Sequence, residues 1–361
     1  MIRTQQIKDF QREQVEPFLQ ELIQELDRNF RQRKSHLAAE MKQQLCDVLM
    51  SQHIRKKEGT IAFVVISWLR SSYLFEGILA YDLQAYDSSW YYDAARAQKS
   101  FNFSWLETYL KRFSEGLKEM ISQQATPALQ GQEDYYVKCY FDVFHTYFTE
   151  LMRYVWKTAE EELLQLMTTD ERFYVFVGEY KDESVPVLQQ VPRLAQYEFQ
   201  DLWDNQLLDV EEYKNLEHLN LTELDFSSQA LVSVSFEHAN LLNSNLSDCL
   251  LVNSRFEHAC LDGATFNRAK LQDATFVSAS CVGTSFRAAV AAQASLLDVL
   301  PCYFGVDFTN ANLEKADFRG ANLAGACFKN ANLQGAQFYA TEKERLILSE
   351  QQQQEIDWVT E

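Results

Sequence analysis

Glycine and proline are scarce in this chain, with 11 and 5 residues among 361. Because these residues mark loops and turns, their scarcity argues against a loop-rich fold and favours long helices or a regular repeat. Basic clusters are lacking too, since the net charge is −19 and no Lys/Arg-rich stretch of the nucleic-acid-binding type occurs. We therefore expect no direct contact with DNA or RNA.

Metal-binding and membrane signals are also missing. The seven cysteines form no CxxC pair and no zinc spacing, which is typical of reduced thiols in a cytosolic protein. The stretch "MIRTQQIKDFQREQ" has no apolar signal-peptide core. The longest apolar run, "IAFVVISWL" at 61–69, is too short to span a bilayer. We expect a cytoplasmic protein without membrane contact.

Sequence motifs of catalysis are lacking as well. The chain has no phosphate-binding P-loop, no G-x-G-x-x-G, no H-E-x-x-H and no G-x-S-x-G. His145, in "FDVFHTYF", is either a hydrogen-bonded core histidine or a catalytic one, and its aromatic neighbours favour the core. We therefore expect no enzyme, no catalytic residue, no cofactor and no metal ion.

Residues 1–190 predict a mainly α-helical domain. Apolar residues recur there at helical spacing, and the run at 61–69 is interpreted as a buried helix. The segment "FYVFVGEY", followed by "KDES" and "VPVLQ", predicts a short β-hairpin near 173–189. Residues 191–215 mix polar and aromatic side chains, which indicates a connector.

From residue 216 the sequence has a period of five. A large apolar residue recurs at every fifth position, and a small or apolar residue, often alanine, lies two positions before it. The last units, "ANLEK", "ADFRG", "ANLAG", "ACFKN" and "ANLQG", are nearly uniform. These two positions are predicted to point inward and the other three outward. Cys249 and Cys281 take inward positions and are interpreted as packing residues.

This pattern resembles the pentapeptide repeat family over residues 216–340. The resemblance implies a right-handed quadrilateral β-helix, with one unit on each side and twenty residues in each coil, or about six coils here. A terminal coil exposes its backbone edge and its apolar interior. We therefore predict a C-terminal capping helix within 341–361. The predicted fold class is multidomain α and β, a mainly α-helical domain followed by this β-helix.

Coils of twenty residues sort the large apolar residues into four sides, which we number from the side that begins at Leu216. Phenylalanine recurs on sides one and three, and leucine mainly on sides two and four. The period then slips by two residues, which predicts a protruding loop near 297–302. With Tyr303 placed on side two, Phe308 is expected on side three and Phe318 on side one.

Three Glu-His pairs lie twenty residues apart in "LEHLN", "FEHAN" and "FEHAC". On stacked coils their imidazoles should form a column with steps of ~4.8 Å, continuing to Ser278, Asp298, Gly320 and Ala340. Three interpretations remain open: a remnant of coil duplication, an edge that contacts a partner, and a metal site, which a straight ladder disfavours. The candidate contact edge includes apolar loop residues and comprises Glu217, His218, Glu237, His238, Glu257, His258, Leu297, Asp298, Val299 and Leu300.

Two function classes compete. The first is a non-catalytic protein-binding or scaffold protein whose partner the sequence does not identify. The second follows from the resemblance, since some pentapeptide repeat proteins mimic B-form DNA and protect DNA gyrase; others form homodimers through the C-terminal end. Residues 214–340 carry 12 acidic and 8 basic residues, a net charge of −4, which weakens the DNA-mimic hypothesis. An enzyme in the helical half is a third and weaker hypothesis.

Overall fold

The computed structural model describes residues 2–50, 60–89, 95–124, 129–179, 184–209, 213–292 and 305–360. The chain divides into two compact units, Met1–Gln190 and Val191–Glu361. We call them unit 1 and unit 2 and describe each by itself.

Unit 1 begins with a long helical rod. Helix α1 (Ile2–Phe10) passes through a π-helical turn (Gln11–Val15) into helix α2 (Glu16–Leu49). Pro17 lacks the N–H that would bond to the carbonyl four residues back, and a wider turn relieves its clash with that carbonyl. The N–H of Glu16 accordingly donates to the carbonyl of Gln11, five residues back. The rod therefore continues past the proline.

A five-stranded sheet forms the second layer of unit 1. Strands β1 (Ile61–Trp68), β2 (Ala80–Tyr86), β3 (Ala97–Asn102), β4 (Thr169–Glu179) and β5 (Ser184–Gln190) lie in the order β3-β2-β1-β4-β5. The β1–β4 pair is parallel and the other three pairs are antiparallel. The hairpin predicted near 173–189 is present as β4 and β5, and it is one part of this larger sheet.

The helix predicted at 61–69 is wrong, because Ile61–Trp68 is the central strand of the sheet. A short run that is apolar throughout fits a fully buried strand as well as a buried helix, so periodicity does not separate the two. β-branched and aromatic residues favour a strand, and Val64 and Ile66 are completely buried. The mainly helical description of residues 1–190 therefore missed the sheet at its centre.

Helices α3 (Arg70–Glu76), α4 (Trp105–Ser122) and α5 (Glu133–Leu164) complete unit 1. The α5 helix packs aromatic side chains on the sheet, where Phe148 stacks on Tyr81 with ring centroids 4.1 Å apart and Trp156 lies 6.3 Å from Phe173. None of the helices in the described parts of the chain combines the length and hydropathy needed to cross a bilayer.

Unit 2 is a stack of twenty-residue coils. Parallel bridges join residues one coil apart, from Asn215 and Ser235 to Asp317 and Gln337. The large central residues and the small residues two positions before them point inward as predicted, and Cys249 and Cys281 are both completely buried. Phenylalanines stack face to face between coils, with centroids 4.9 Å apart for the pair Phe236 and Phe256.

The coil register after the loop differs from the prediction. Thr275 bridges to Asp307, which is 32 residues away and not 22, so the offset exceeds one twenty-residue coil by twelve residues where an excess of two is predicted. Phe308 therefore stacks on Phe276 of side one at 5.0 Å, and Phe318 stacks on Phe286 of side three at 4.9 Å. The predicted sides of Phe308 and Phe318 are wrong because both registers preserve the alternation of Phe and Leu.

The first coil is covered by helix α6 (Gln196–Asp204). Phe199 is completely buried, and Trp203 lies 4.8 Å from Phe226 of the first coil. The side chain of Gln196 forms hydrogen bonds with one residue, Asn220, on the exposed backbone edge of that coil. Its amide oxygen accepts from the Asn220 N–H at 2.7 Å and its amide nitrogen donates to the Asn220 carbonyl at 3.2 Å.

The last coil is covered by the C-terminal segment. Strand β6 (Gln337–Tyr339) leads through a 3₁₀ turn (Ala340–Arg345) to helix α7 (Glu350–Glu355) and strand β7 (Asp357–Val359), which pairs with β6 in parallel. Gln352 is buried and donates to the Phe328 and Ala331 carbonyls at 2.7 and 3.0 Å. Trp358 lies 5.8 Å from Phe338.

Burial of His145 in unit 1 predicts loss of stability in acid. Complete burial lowers its pKa from 6.5 to about 3, so below pH 6.5 the unfolded chain binds a proton that the folded chain does not. Stability is then fully present above pH 6.5 and falls between pH 6.5 and pH 3, by up to about 1.4 kcal/mol per pH unit. Urea unfolding across this range, compared with a non-titrating His145→Gln variant, measures the difference. Parallel stability curves for the two proteins would contradict this prediction.

Candidate functional site

Three histidines form a column on one exposed corner of unit 2, where side one ends. The imidazoles of His218 and His238 are 4.8 Å apart between centroids, those of His238 and His258 are 4.9 Å apart, and the planes are within 8° of parallel. The backbone sets this spacing, because the His218 N–H donates to the Glu237 carbonyl and the His238 N–H to the Glu257 carbonyl. Adjacent coils therefore present the three rings in register.

The backbone conformation explains why histidine is accepted at this corner. His218, His238 and His258 have φ values of 58°, 57° and 57°, in the left-handed region. Asparagine, aspartate and histidine are several-fold enriched there among non-glycine residues. Most described repeat units have a left-handed residue at this position, two after the large central residue. The five-residue period alone does not reveal this conformation, although glycine at the same position in two units, Gly320 and Gly335, is consistent with it.

Below the three histidines the column continues with Ser278, Asn310 and Asn330. The Ser278 N–H donates to the Thr309 carbonyl at 3.0 Å, and the Asn310 N–H to the Lys329 carbonyl at 2.9 Å. The predicted continuation through Gly320 and Ala340 is wrong because it assumes an offset of 22 residues across the loop, whereas the bridges give 32.

Gly320 lies instead in the column of Ala288, whose N–H donates to the Arg319 carbonyl at 3.2 Å. The loop members of the predicted edge, Leu297, Asp298, Val299 and Leu300, lie outside the described residues.

The glutamates of the Glu-His pairs are held by neighbours on side one. Arg255 lies 3.0 Å from the carboxylate of Glu237 and 3.5 Å from that of Glu217. Ser235 donates to Glu217 at 2.8 Å, and Thr275 donates to Glu257. Because each carboxylate accepts from a side chain one coil away, the glutamates brace adjacent coils, while the imidazoles beside them remain exposed.

The three imidazoles of the column can form hydrogen bonds, but they are not arranged to coordinate one metal ion together. Parallel rings on a straight ladder do not converge on one point, whereas zinc requires ligands arranged tetrahedrally around it. Among the residues that the structure describes, no group of three or more His, Cys, Asp or Glu side chains is arranged to hold a metal ion. What the corner presents is a row of imidazole nitrogens, each able to donate or accept a hydrogen bond.

The repeat of unit 2 matches a known family. Residues 231–268 and 304–338 match the family model for pentapeptide repeats, in eight copies. These residues of unit 2 are therefore identified as pentapeptide repeats. A search of curated protein sequences finds no match to the chain.

Solved structures of pentapeptide repeat proteins are similar to part of the chain. The plasmid-mediated fluoroquinolone resistance protein QnrB1 is 21% identical over 34% of this chain and 74% of its own, with a TM-score of 0.21. A thylakoid-lumen protein of Arabidopsis thaliana is 21% identical over 41% and 80%, with a TM-score of 0.14. HetL of Nostoc, involved in heterocyst differentiation, is 18% identical over 40% and 97%, with a TM-score of 0.13. TM-scores this far below 0.5 carry no part of the argument.

Substitution at His238 separates the backbone role from the side-chain role. His238→Asn removes the stacked ring but suits the left-handed backbone, so we expect stability close to that of the natural chain. His238→Val removes the same ring and places a β-branched residue at φ 57°, so we expect a loss of about 1–2 kcal/mol. Thermal unfolding followed by circular dichroism measures both. Equal losses for the two variants would instead assign the effect to the missing imidazole stack.

Proposed function

We propose that this chain is a non-catalytic binding or scaffold protein that uses the surface of unit 2 to contact a protein partner. The observation that carries the proposal is the exposed column of three imidazoles held at 4.8 and 4.9 Å on a fully packed stack of coils. One apolar cluster extends through unit 2 from Leu194 to Ile356. Such a core supports a rigid surface, and rigidity reduces the entropy lost on binding.

Within this proposal the contact edge consists of the described residues Glu217, His218, Glu237, His238, Glu257 and His258. The ladder of backbone hydrogen bonds fixes its spacing, so a partner that presents polar groups at about the spacing of adjacent strands, ~4.8 Å, can engage several rings at once. Leu297, Asp298, Val299 and Leu300 remain a predicted extension of this edge. We also propose that residues 216–340 wind as the right-handed quadrilateral β-helix that the family resemblance implies, and that residues 1–190 form a separate domain.

Charge pairing on side three is the observation that counts against DNA mimicry. Arg268 makes two hydrogen bonds to Asp248, at 2.7 and 2.6 Å, and Arg319 makes two to Asp317, at 2.9 and 2.7 Å. A mimic of duplex DNA needs a dense field of unpaired negative charge, since DNA carries one charge per ≈1.7 Å of its axis. The paired carboxylates of side three do not supply such a field.

Affinity capture with a matched pair of variants tests the proposed edge. The triple variant His218→Asn/His238→Asn/His258→Asn keeps residues suited to the left-handed backbone and removes all three rings. Ser228→Asn/Ser233→Asn makes similar changes at left-handed corners of sides three and four. We expect the triple variant to lose the captured partner by more than about tenfold, which corresponds to ~1.4 kcal/mol, and the control to retain it.

Two results would contradict the proposal. Equal recovery of the same partner by the natural chain and the triple variant would remove the histidine column from the interface. Protection of DNA gyrase from a quinolone in a supercoiling assay, unchanged by the triple variant, would replace the scaffold proposal with the DNA-mimic alternative.

A further inference from the structure

Unit 1 holds a concentration of buried polar atoms that have no hydrogen-bond partner. In the described parts of the chain seven buried side-chain nitrogen or oxygen atoms are in this condition. Four of them belong to neighbouring residues: Trp68 Nε1, Arg70 Nε, the Tyr81 hydroxyl oxygen and His145 Nε2. Buried polar groups are almost always hydrogen-bonded, so four exceptions in one neighbourhood require an explanation.

The sheet and helix α5 bring these four residues together. Trp68 and Tyr81 are direct partners in the antiparallel pairing of β1 with β2. The ring of His145 lies 4.6 Å from that of Trp68 and 6.2 Å from that of Tyr81. The Arg70 guanidinium lies 5.2 Å from the ring of Phe141, which stacks on His145 at 4.3 Å. His145 is thus in the middle of the cluster.

The hydrogen-bonding character of each atom follows from its surroundings. His145 Nδ1 lies 3.1 Å from the Phe141 carbonyl oxygen, which can only accept, so Nδ1 carries the proton. Burial lowers the pKa of His145 to about 3, so the ring is neutral and Nε2 offers a lone pair. Burial also raises the pKa of Tyr81 well above its usual value, so its hydroxyl keeps its proton. The cluster therefore presents two N–H donors, on Trp68 and Arg70, one acceptor, His145 Nε2, and the Tyr81 hydroxyl, which can donate or accept.

The positive charge of Arg70 is already paired with the carboxylates of Asp142 and Glu179, through Nη2. Arg70 Nη2 donates to Asp142 at 2.8 Å and lies 2.6 Å from a carboxylate oxygen of Glu179. The Arg70 Nε is buried and has no hydrogen-bond partner. Two carboxylates on one guanidinium leave no excess positive charge to attract an anion, so a group that completes this cluster must be neutral.

We propose that Trp68, Arg70, Tyr81 and His145 form an internal binding site for one small neutral hydrogen-bonding ligand, which in aqueous solution is a water molecule. Such a molecule accepts from the indole and guanidinium N–H groups and donates to His145 Nε2 and to the Tyr81 hydroxyl oxygen, and buried waters typically make about two to four such bonds. Tyr81 and His145 are completely buried, and Phe148 stacks on Tyr81 at 4.1 Å, so the site is closed to bulk solvent.

The sign of a stability change tests this proposal. If a ligand bonds to the Tyr81 hydroxyl, Tyr81→Phe removes a hydrogen bond and raises the equilibrium constant for unfolding by about threefold to tenfold. If that hydroxyl is unpaired, its removal relieves an unfavourable burial and lowers the constant. The matched control is Tyr136→Phe, because Tyr136 is also completely buried and its hydroxyl donates to the Ile7 carbonyl at 3.2 Å.

Urea unfolding of the full chain measures both variants, and we expect Tyr81→Phe to shift stability in the same direction as Tyr136→Phe. A second measurement observes the ligand directly. In the full chain labelled with ¹⁵N-tryptophan, the Trp68 indole proton should show cross-relaxation with a long-lived bound water, with Trp68→Phe used to assign the signal. The Trp156 indole, also buried without a partner, is the internal reference. Stabilisation by Tyr81→Phe, or no water signal at Trp68, overturns the proposal.

Discussion

Unit 2 depends on the backbone hydrogen bonds that join each coil to the next. The N–H of a large central residue donates to a carbonyl one coil further on, as Leu221 does to Asn240 at 2.7 Å and Phe256 does to Thr275 at 2.8 Å. This bond fixes the coil at twenty residues and therefore fixes which side chains lie above one another. This coil geometry accounts for three features of the sequence: the residues suited to left-handed corners, the buried alanines and the stacked phenylalanines.

The same ladder of backbone hydrogen bonds explains how the histidine column can arise by coil duplication alone. It also explains why the column can serve as a contact surface. A side chain at a left-handed corner points away from the core and is repeated wherever coils are duplicated, so three histidines in register need no selection for contact. Once in register, however, they are held at strand spacing by bonds that do not involve their side chains. The glutamates differ, because Arg255, Ser235 and Thr275 engage them in bracing the coils.

The sequence predicted those features that repeat and missed those that occur once. The five-residue period placed Ala239, Ala259 and Cys281 in the core because dozens of positions follow the same rule. It misplaced Phe308 and Phe318, since an excursion of two residues and one of twelve give the same alternation of Phe and Leu.

In unit 1 the sequence predicts a helix where Ile61–Trp68 is a strand, because a run that is apolar throughout has no period to separate the two. His145 was expected to be fully hydrogen-bonded. Its unpaired Nε2 depends on strands and a helix from distant parts of the sequence, which no local pattern reveals.

Continuity of the stack across the twelve-residue excursion is the central claim for unit 2, and a pair of double-mutant cycles tests it most directly. Phe276 stacks on Phe308 at 5.0 Å, whereas Phe318 stacks on Phe286. The cycle that combines Phe276→Leu with Phe308→Leu should therefore give a coupling energy of about 0.5–1.5 kcal/mol in unfolding experiments. The cycle that combines Phe276→Leu with Phe318→Leu should give a smaller coupling, because these two rings are linked indirectly, through Phe286 and Phe308. A coupling near zero between Phe276 and Phe308 would contradict the register and the column of residues that follows from it.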